Sequence, residues 1–132
     1  TFGHAFGDFV LKEFSLRVKR NLRSADPAFR YGGEEFMVLL PHTGIEGARQ
    51  TAEKLRAYCE ANPYTDGIAS TIITVSIGLA SVKEHDPQSV GDLISYADKA
   101  LYRAKAEGRN RIASYLERPL DPVSEEEIPR TE

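Results

Sequence analysis

A chain of 132 residues, 41% of them hydrophobic, is long enough to bury the core of one globular domain without disulfide or metal staples. Its net charge of −3 arises in the acidic residues 117–132, and the nearly neutral body before them argues against a duplex nucleic-acid partner. The single Cys59 cannot form an intrachain disulfide, which fits a reducing cytoplasm, and no apolar run approaches the ~20 residues of a membrane span.

An amphipathic helix is predicted over residues 7–24. Its apolar residues recur at steps of three and four with charged residues between them, and they are Leu11, Phe14, Val18 and Leu22. Asp26-Pro27 ends this helix, because proline drives the residue before it into extended conformations. A short strand is predicted next, over residues 28–31.

Two carboxylates follow paired glycines at Gly32-Gly33-Glu34-Glu35, ahead of an apolar run at 36–40 that is typical of a strand buried on both faces. Gly-Gly favours a tight hairpin turn, since glycine enters the positive-φ region at little cost and leaves the backbone open to a ligand. Two acids at such a tip suit Mg²⁺, which takes a few carboxylate oxygens together with nucleotide phosphates. The alternative is a solvated Glu-Glu turn on an ordinary hairpin.

A second helix is predicted to start at Thr43-Gly44-Ile45-Glu46, which has the Thr-x-x-Glu spacing of a capping box. Asn62-Pro63 ends it, and residues 64–70 are predicted as a plain loop. Ile73, Val75, Ile77 and Leu79 alternate with Thr74, Ser76 and Gly78, which predicts a strand over residues 71–80.

A last helix is predicted to begin with Ser89 and Asp92 as capping residues and to stop at Gly108. Residues 111–115 are predicted as a final strand. Residues 117–132 combine prolines with a run of three glutamates, which indicates an acidic tail or linker beyond a domain over 1–116.

The predicted order is helix, strand, strand, helix, strand, helix, strand, which is an α+β arrangement. One further strand before Thr1 would complete a ferredoxin-like βαββαβ sheet with helices packed on it, followed by an extra helix and strand. We therefore expect the first strand of the domain to be absent from this chain.

Four stretches resemble the GGDEF-domain diguanylate cyclase family, in matching order and spacing. They are Gly-Gly-Glu-Glu-Phe at 32–36, Thr-Phe-Gly-His-Ala-Phe-Gly-Asp at 1–8, Val-Ser-Ile-Gly at 75–78, and the last helix from Ala97 to Asn110. The resemblance implies a palm-type fold. It also implies synthesis of cyclic di-GMP from two GTP molecules, each held by one subunit of a homodimer, with Mg²⁺ or Mn²⁺ assisting.

The resemblance implies a role for each matching residue. Glu34 and Glu35 would be the catalytic, metal-binding acids, with Glu34 also helping to deprotonate the attacking 3′-hydroxyl. Substrate would be held by Asp8 at the guanine edge, by the Gly32 and Gly33 backbone, and by Lys105 and Arg109 at the terminal phosphates. The alternatives are a plain first-turn acid at Asp8 and ordinary helix-end cations at Lys105 and Arg109, which the helix dipole favours.

Arg23 and Asp26 resemble the Arg-x-x-Asp inhibitory product site of the family. Arginine offers a fork to phosphate or guanine acceptors and aspartate takes guanine donors, so the pair suits cyclic di-GMP. The alternative is a helix-end arginine beside a turn-forming aspartate.

Family members also carry a metal-binding aspartate and a guanine-binding asparagine on the first strand and its loop, and neither is present here. We therefore expect an active cyclase in the intact parent and little or no turnover by this piece alone. The competing interpretations are a non-catalytic receptor for GTP or cyclic di-GMP and, last, a dimerisation module.

Overall fold

The computed structural model describes residues 4–32 and 35–116, which form an α+β architecture. Its helices are α1 (His4–Arg20), α2 (Ile45–Ala61), α3 (Val82–His85) and α4 (Val90–Ala106). Its strands are β1 (Ala28–Gly32), β2 (Glu35–Val38), β3 (Tyr64–Thr65), β4 (Ser70–Thr71), β5 (Ile77–Leu79) and β6 (Ile112–Ser114). None of the helices in these two ranges is long and apolar enough to cross a bilayer. The predicted tail at 117–132 lies outside the described residues.

The described strands pair in twos. β1 and β2 form the predicted antiparallel hairpin, with Ala28 opposite Val38 and a register shift between Arg30 and Gly32. β3 and β4 form a second antiparallel pair. β5 and β6 are parallel, which requires a crossover between them, and α4 supplies it.

The packing of α4 on β5 and β6 forms the best-buried part of the molecule. Ala100 and Ala104 on α4 meet Ala113 on β6, and all three are almost fully buried. β5 approaches α4 so closely that a Cβ on Gly78 would overlap the backbone of Ala97 and Leu101. Small residues on both elements therefore set the distance between the helix and the strands.

Arg17 fastens α1 to the end of α2. Its side chain donates to the carbonyl oxygens of Asn62 and Pro63 at 2.9 Å each, and its guanidinium lies 3.7 Å from the ring centroid of Tyr64. Tyr64 is 1% exposed, and burial raises the pKa of its hydroxyl. Cys59 packs beside it and is fully buried.

The plain loop predicted at 64–70 is wrong. Tyr64 and Thr65 pair with Thr71 and Ser70 across a short turn, because burial of Tyr64 under Arg17 fixes the start of this segment. The single strand predicted over 71–80 is divided between β4 and β5. Residues 72–76, in the middle of the predicted strand, belong to neither, because β4 pairs with β3 and β5 pairs with β6.

The predicted capping box at Thr43 is also wrong. The N-cap residue of α2 is Gly44, and it makes no side-chain cap. The Thr43 hydroxyl instead donates to the carbonyl oxygen of Pro41 at 3.0 Å and accepts from Arg23 at 2.7 Å. By contrast, the predicted cap of α4 is confirmed, since the Ser89 hydroxyl accepts from the backbone N–H of Asp92 at 3.1 Å.

Two predicted boundaries shift. α1 ends at Arg20 and not at residue 24. Just after this end, the Asn21 side chain donates to the carbonyl oxygen of Arg17. The apolar run at 36–40 is not buried on both faces, because β2 ends at Val38 and Leu39 is 43% exposed.

A groove of about 1510 Å³ lies between the hairpin and the α4 layer. Residues from β2 and β5 both line it, and these two strands do not pair with each other. Its walls are largely apolar, and they include Met37, Val38, Val75, Ile77 and Leu101. Polar residues line the groove as well.

Candidate functional site

Gly32 and Glu35 are the described residues on either side of the turn of the β1–β2 hairpin. Gly32 and Glu35 face each other across the ladder, and both are exposed. A Cβ on Gly32 would meet no atom within 4 Å, so the backbone at this end of the hairpin is open to a ligand. Gly33 and Glu34 lie outside the described residues, and their predicted roles stay predictions.

The chemistry of this turn fits a metal that is shared with a nucleotide. Within residues 4–32 and 35–116, no group of three or more His, Cys, Asp or Glu side chains could hold a metal ion. Mg²⁺ keeps most of its ligands as water and phosphate oxygens and takes only one or two protein carboxylates. An exposed Glu35 beside open backbone satisfies that requirement for a hard oxygen donor.

Lys105 lies in the last turn of α4 and Arg109 in the loop after it, and both are exposed. They lie along the same long groove as Gly32 and Glu35. Lys105 carries a full charge beside the negative end of the helix dipole, which alone favours a cation by about 0.3–1 kcal/mol. The phosphate-binding role of Lys105 and Arg109 stays a prediction beside the helix-end alternative.

Asp8 is exposed on α1 and does not line this groove. The helix begins at His4 and has no acid in its first turn, so the first-turn alternative for Asp8 is wrong. Its predicted contact with guanine stays a prediction.

Arg23 and Asp26 are paired with each other. The Asp26 carboxylate accepts from the backbone N–H of Arg23 at 3.0 Å and from its Nε at 3.3 Å, and the carboxylate side chain is 2% exposed. The Arg23 side chain is 64% exposed and reaches the Thr43 hydroxyl. A ligand can therefore meet Arg23 directly, while Asp26 acts first as the acceptor that shapes the turn.

A network that the sequence pattern does not predict holds the loop after α4. Arg56 on α2 donates to Asn110 Oδ1 at 2.9 Å, and Asn110 Nδ2 donates to Glu60 Oε2 at 2.9 Å. Hydrogen bonds from Asn110 and Arg56 lower the pKa of the Glu60 carboxylate. The hydrogen bonds that Arg56 donates to Glu53 and Glu60 raise the pKa of its guanidinium. The Glu-x-x-Arg-x-x-x-Glu spacing at 53–60 indicates the ion pairs of Arg56 with Glu53 and Glu60. It does not indicate the hydrogen bonds to Asn110.

A family model described as "Diguanylate cyclase, GGDEF domain" matches residues 1–111. Response regulator PleD of Caulobacter vibrioides is 43% identical over 115 residues, which cover 85% of this chain and 25% of PleD. Diguanylate cyclase A of Treponema denticola is 42% identical over 112 residues, which cover 85% of this chain and 30% of the relative. The chain thus spans less than a third of the length of these relatives.

Solved structures give the same result. The active GGEEF domain of a diguanylate cyclase from Vibrio cholerae has a TM-score of 0.79 and 32% identity, over 89% of this chain and 73% of that one. The GGDEF domain of DgcB from Caulobacter crescentus, in complex with c-di-GMP, has a TM-score of 0.80 and 30% identity, over 88% and 68%. These neighbours confirm the predicted palm-type α+β fold class. The chain belongs to the GGDEF-domain diguanylate cyclase family.

Proposed function

We propose that the intact protein containing this chain is a diguanylate cyclase that condenses two GTP molecules into cyclic di-GMP across a homodimer. The observation that carries the proposal is the match of residues 1–111 to the diguanylate cyclase family model, and Gly32, Glu35, Lys105 and Arg109 lie along one groove. An acidic turn and a pair of cations on one cavity suit a nucleoside triphosphate. The relatives named as diguanylate cyclases support this choice of chemistry.

The proposed reaction is attack of a 3′-hydroxyl oxygen on the α-phosphorus of a second GTP, with diphosphate as the leaving group. Lys105 and Arg109 hold the terminal phosphates and stabilise the charge that the departing diphosphate gains. The open backbone at Gly32 lets the phosphates approach the turn, and Gly33 has no side chain to obstruct them.

The acids of the turn take the remaining roles. Glu34 accepts the proton of the attacking hydroxyl, and Glu34 and Glu35 hold Mg²⁺ or Mn²⁺. When bound, the metal neutralises phosphate charge and lowers the pKa of a coordinated hydroxyl. Asp8 accepts hydrogen bonds from the guanine edge, which presents N–H donors.

The same proposal extends to organisation and setting. Residues 1–116 form the cyclase domain, and residues 117–132 are a tail or linker. The domain acts in the cytoplasm, binds GTP and cyclic di-GMP, and contacts neither nucleic acid nor a membrane surface directly.

Turnover of GTP by the intact protein tests the proposal. With GTP and Mg²⁺, we expect chromatography to resolve cyclic di-GMP and two diphosphates per product molecule, and no cyclic product from ATP. Bound but unconverted GTP over the full time course would contradict the cyclase assignment.

A second function, binding of cyclic di-GMP as a regulatory ligand, is favoured by the exposed guanidinium of Arg23 beside Asp26. An arginine fork and phosphate oxygens form charge-assisted hydrogen bonds. A protein that bound cyclic di-GMP here and made none would be a receptor. A cyclase with this site is inhibited by its own product.

Arg23→Ala is expected to weaken cyclic di-GMP binding about tenfold or more, since a charge-assisted hydrogen bond contributes about 1.5–3 kcal/mol. Calorimetry on the intact protein measures the change. Arg20→Ala is the matched control, because Arg20 is similarly exposed at 60% and forms a 3.7 Å ion pair with Glu13, away from Asp26. Equal affinities in wild type and Arg23→Ala would remove Arg23 from the site.

A further inference from the structure

The loop that carries Arg109 has an unfavourable backbone conformation. Gly108, Arg109 and Asn110 are consecutive residues with φ of 129°, 61° and 47°. Glycine and asparagine tolerate the left-handed region, but an arginine there costs about 1–2 kcal/mol. A loop of this kind holds one shape only where surrounding contacts fix it.

Asn110 supplies those contacts with every polar group of its side chain. Oδ1 accepts from Arg56 and Nδ2 donates to Glu60, so both ends of the amide are held by α2. The backbone N–H of Asn110 donates to the Ser76 hydroxyl at 3.1 Å, just before β5. The loop is therefore fixed between α2 and β5, while its neighbour Arg109 stays exposed on the groove.

Arg56 is itself held in place before it reaches the loop. Its Nε and Nη2 donate to Glu53 at 2.9 and 2.7 Å, and its Nη1 donates to Glu60 at 3.0 Å as well as to Asn110. The Arg56 side chain is only 16% exposed. The guanidinium thus presents a fixed donor to the loop.

We propose that Arg56 and Glu60 on α2 are positioning residues for substrate phosphate: they act through Asn110 to fix Arg109. The inference rests on the proposed role of Arg109 in binding GTP. It assigns a part in substrate affinity to two α2 residues that do not themselves line the groove, whereas Ala48, Thr51, Ala52 and Leu55 of the same helix do.

The test is GTP affinity of the intact protein, measured by calorimetry with Ca²⁺ in place of Mg²⁺ to suppress turnover. Arg56→Ala and Asn110→Gly are each expected to weaken GTP binding about tenfold, because the phosphate contact requires a fixed loop. Asn110→Gly removes the amide and still permits positive φ, so it separates lost contacts from backbone strain. Cyclic di-GMP has no terminal phosphate, and its affinity is expected to stay unchanged.

Glu46→Gln is the matched control, because Glu46 is an exposed acid on the same helix that does not line the groove. It is expected to keep wild-type GTP affinity. A purely structural network would instead lower the thermal stability of Arg56→Ala and Asn110→Gly and leave GTP affinity unchanged in both, which would overturn the inference. Arg56→Lys, which keeps the charge and loses the fork, supplies a second variant with an expected intermediate affinity.

A double-variant cycle tests whether Arg56 acts through Arg109. Arg56→Ala combined with Arg109→Ala is expected to bind GTP no more weakly than Arg109→Ala alone. Additive losses would show that Arg56 does not act by positioning Arg109. These are binding measurements, so an intact protein that binds GTP in this pattern and forms no cyclic product would contradict the proposed cyclase function alone.

Discussion

Lys105→Ala combined with Arg109→Ala is expected to lower kcat/KM of the intact protein for GTP about a thousandfold. Each cation that bonds a phosphate oxygen contributes about 1.5–3 kcal/mol, and the two residues line the same groove as the hairpin turn. Initial rates of cyclic di-GMP formation over a range of GTP concentrations give the value. Most of the loss should also appear as weaker GTP binding.

Lys99→Ala is the control for this pair. Lys99 is exposed on the same helix, carries the same charge, and does not line the groove. Its removal should leave kcat/KM within about twofold, since exposed charges away from a site contribute little. If the double variant turned over GTP as wild type does, Lys105 and Arg109 would be helix-end cations only.

Gly78→Ala is expected to lower the free energy of unfolding by about 3 kcal/mol or more. The new methyl group would overlap the carbonyl oxygen of Ala97 and the backbone nitrogen of Leu101. Helix backbone cannot move aside as a flexible side chain can, so α4 would have to lift away from β5. That displacement would separate Ala100 from Ala113 in the best-buried cluster.

Urea unfolding of the intact protein, followed by a probe in this domain, measures the effect. Gly7→Ala is the control, because a Cβ at this α1 position meets no atom within 4 Å. It should stabilise the domain by up to about 1 kcal/mol, as alanine does in place of glycine within a helix. Equal midpoints for wild type and Gly78→Ala would contradict the close approach of α4 to β5.

Local chemistry explains which elements the sequence predicts correctly. The start of α4 depends on Ser89 and Asp92, three residues apart, and the hairpin depends on glycines between two apolar runs. Both signals lie inside the element that they specify. The errors arise where a distant residue competes: Arg23, twenty positions earlier, bonds the Thr43 hydroxyl that a capping box would require.

The candidate site shows the same division. The acidic turn and the basic end of α4 are visible as motifs, but only folding brings Glu35 and Arg109 to one groove. The ion pairs of Arg56 are visible as spacing along one helix. Its bond to Asn110, 54 residues later, depends on a left-handed loop that no local pattern specifies.

Binding of Mn²⁺ tests most directly whether the acidic turn holds a divalent ion against GTP. Electron paramagnetic resonance of the intact protein can follow Mn²⁺ with a GTP analogue in which a methylene group replaces the α–β bridging oxygen, so diphosphate cannot leave. We expect the analogue to promote Mn²⁺ binding, and Glu34→Gln to weaken that binding about tenfold or more, since a lost carboxylate ligand is a lost hard donor. Glu84→Gln, at an exposed acid on α3 that does not itself line the groove, should bind Mn²⁺ as wild type does. Equal Mn²⁺ affinity in wild type and Glu34→Gln would contradict the account.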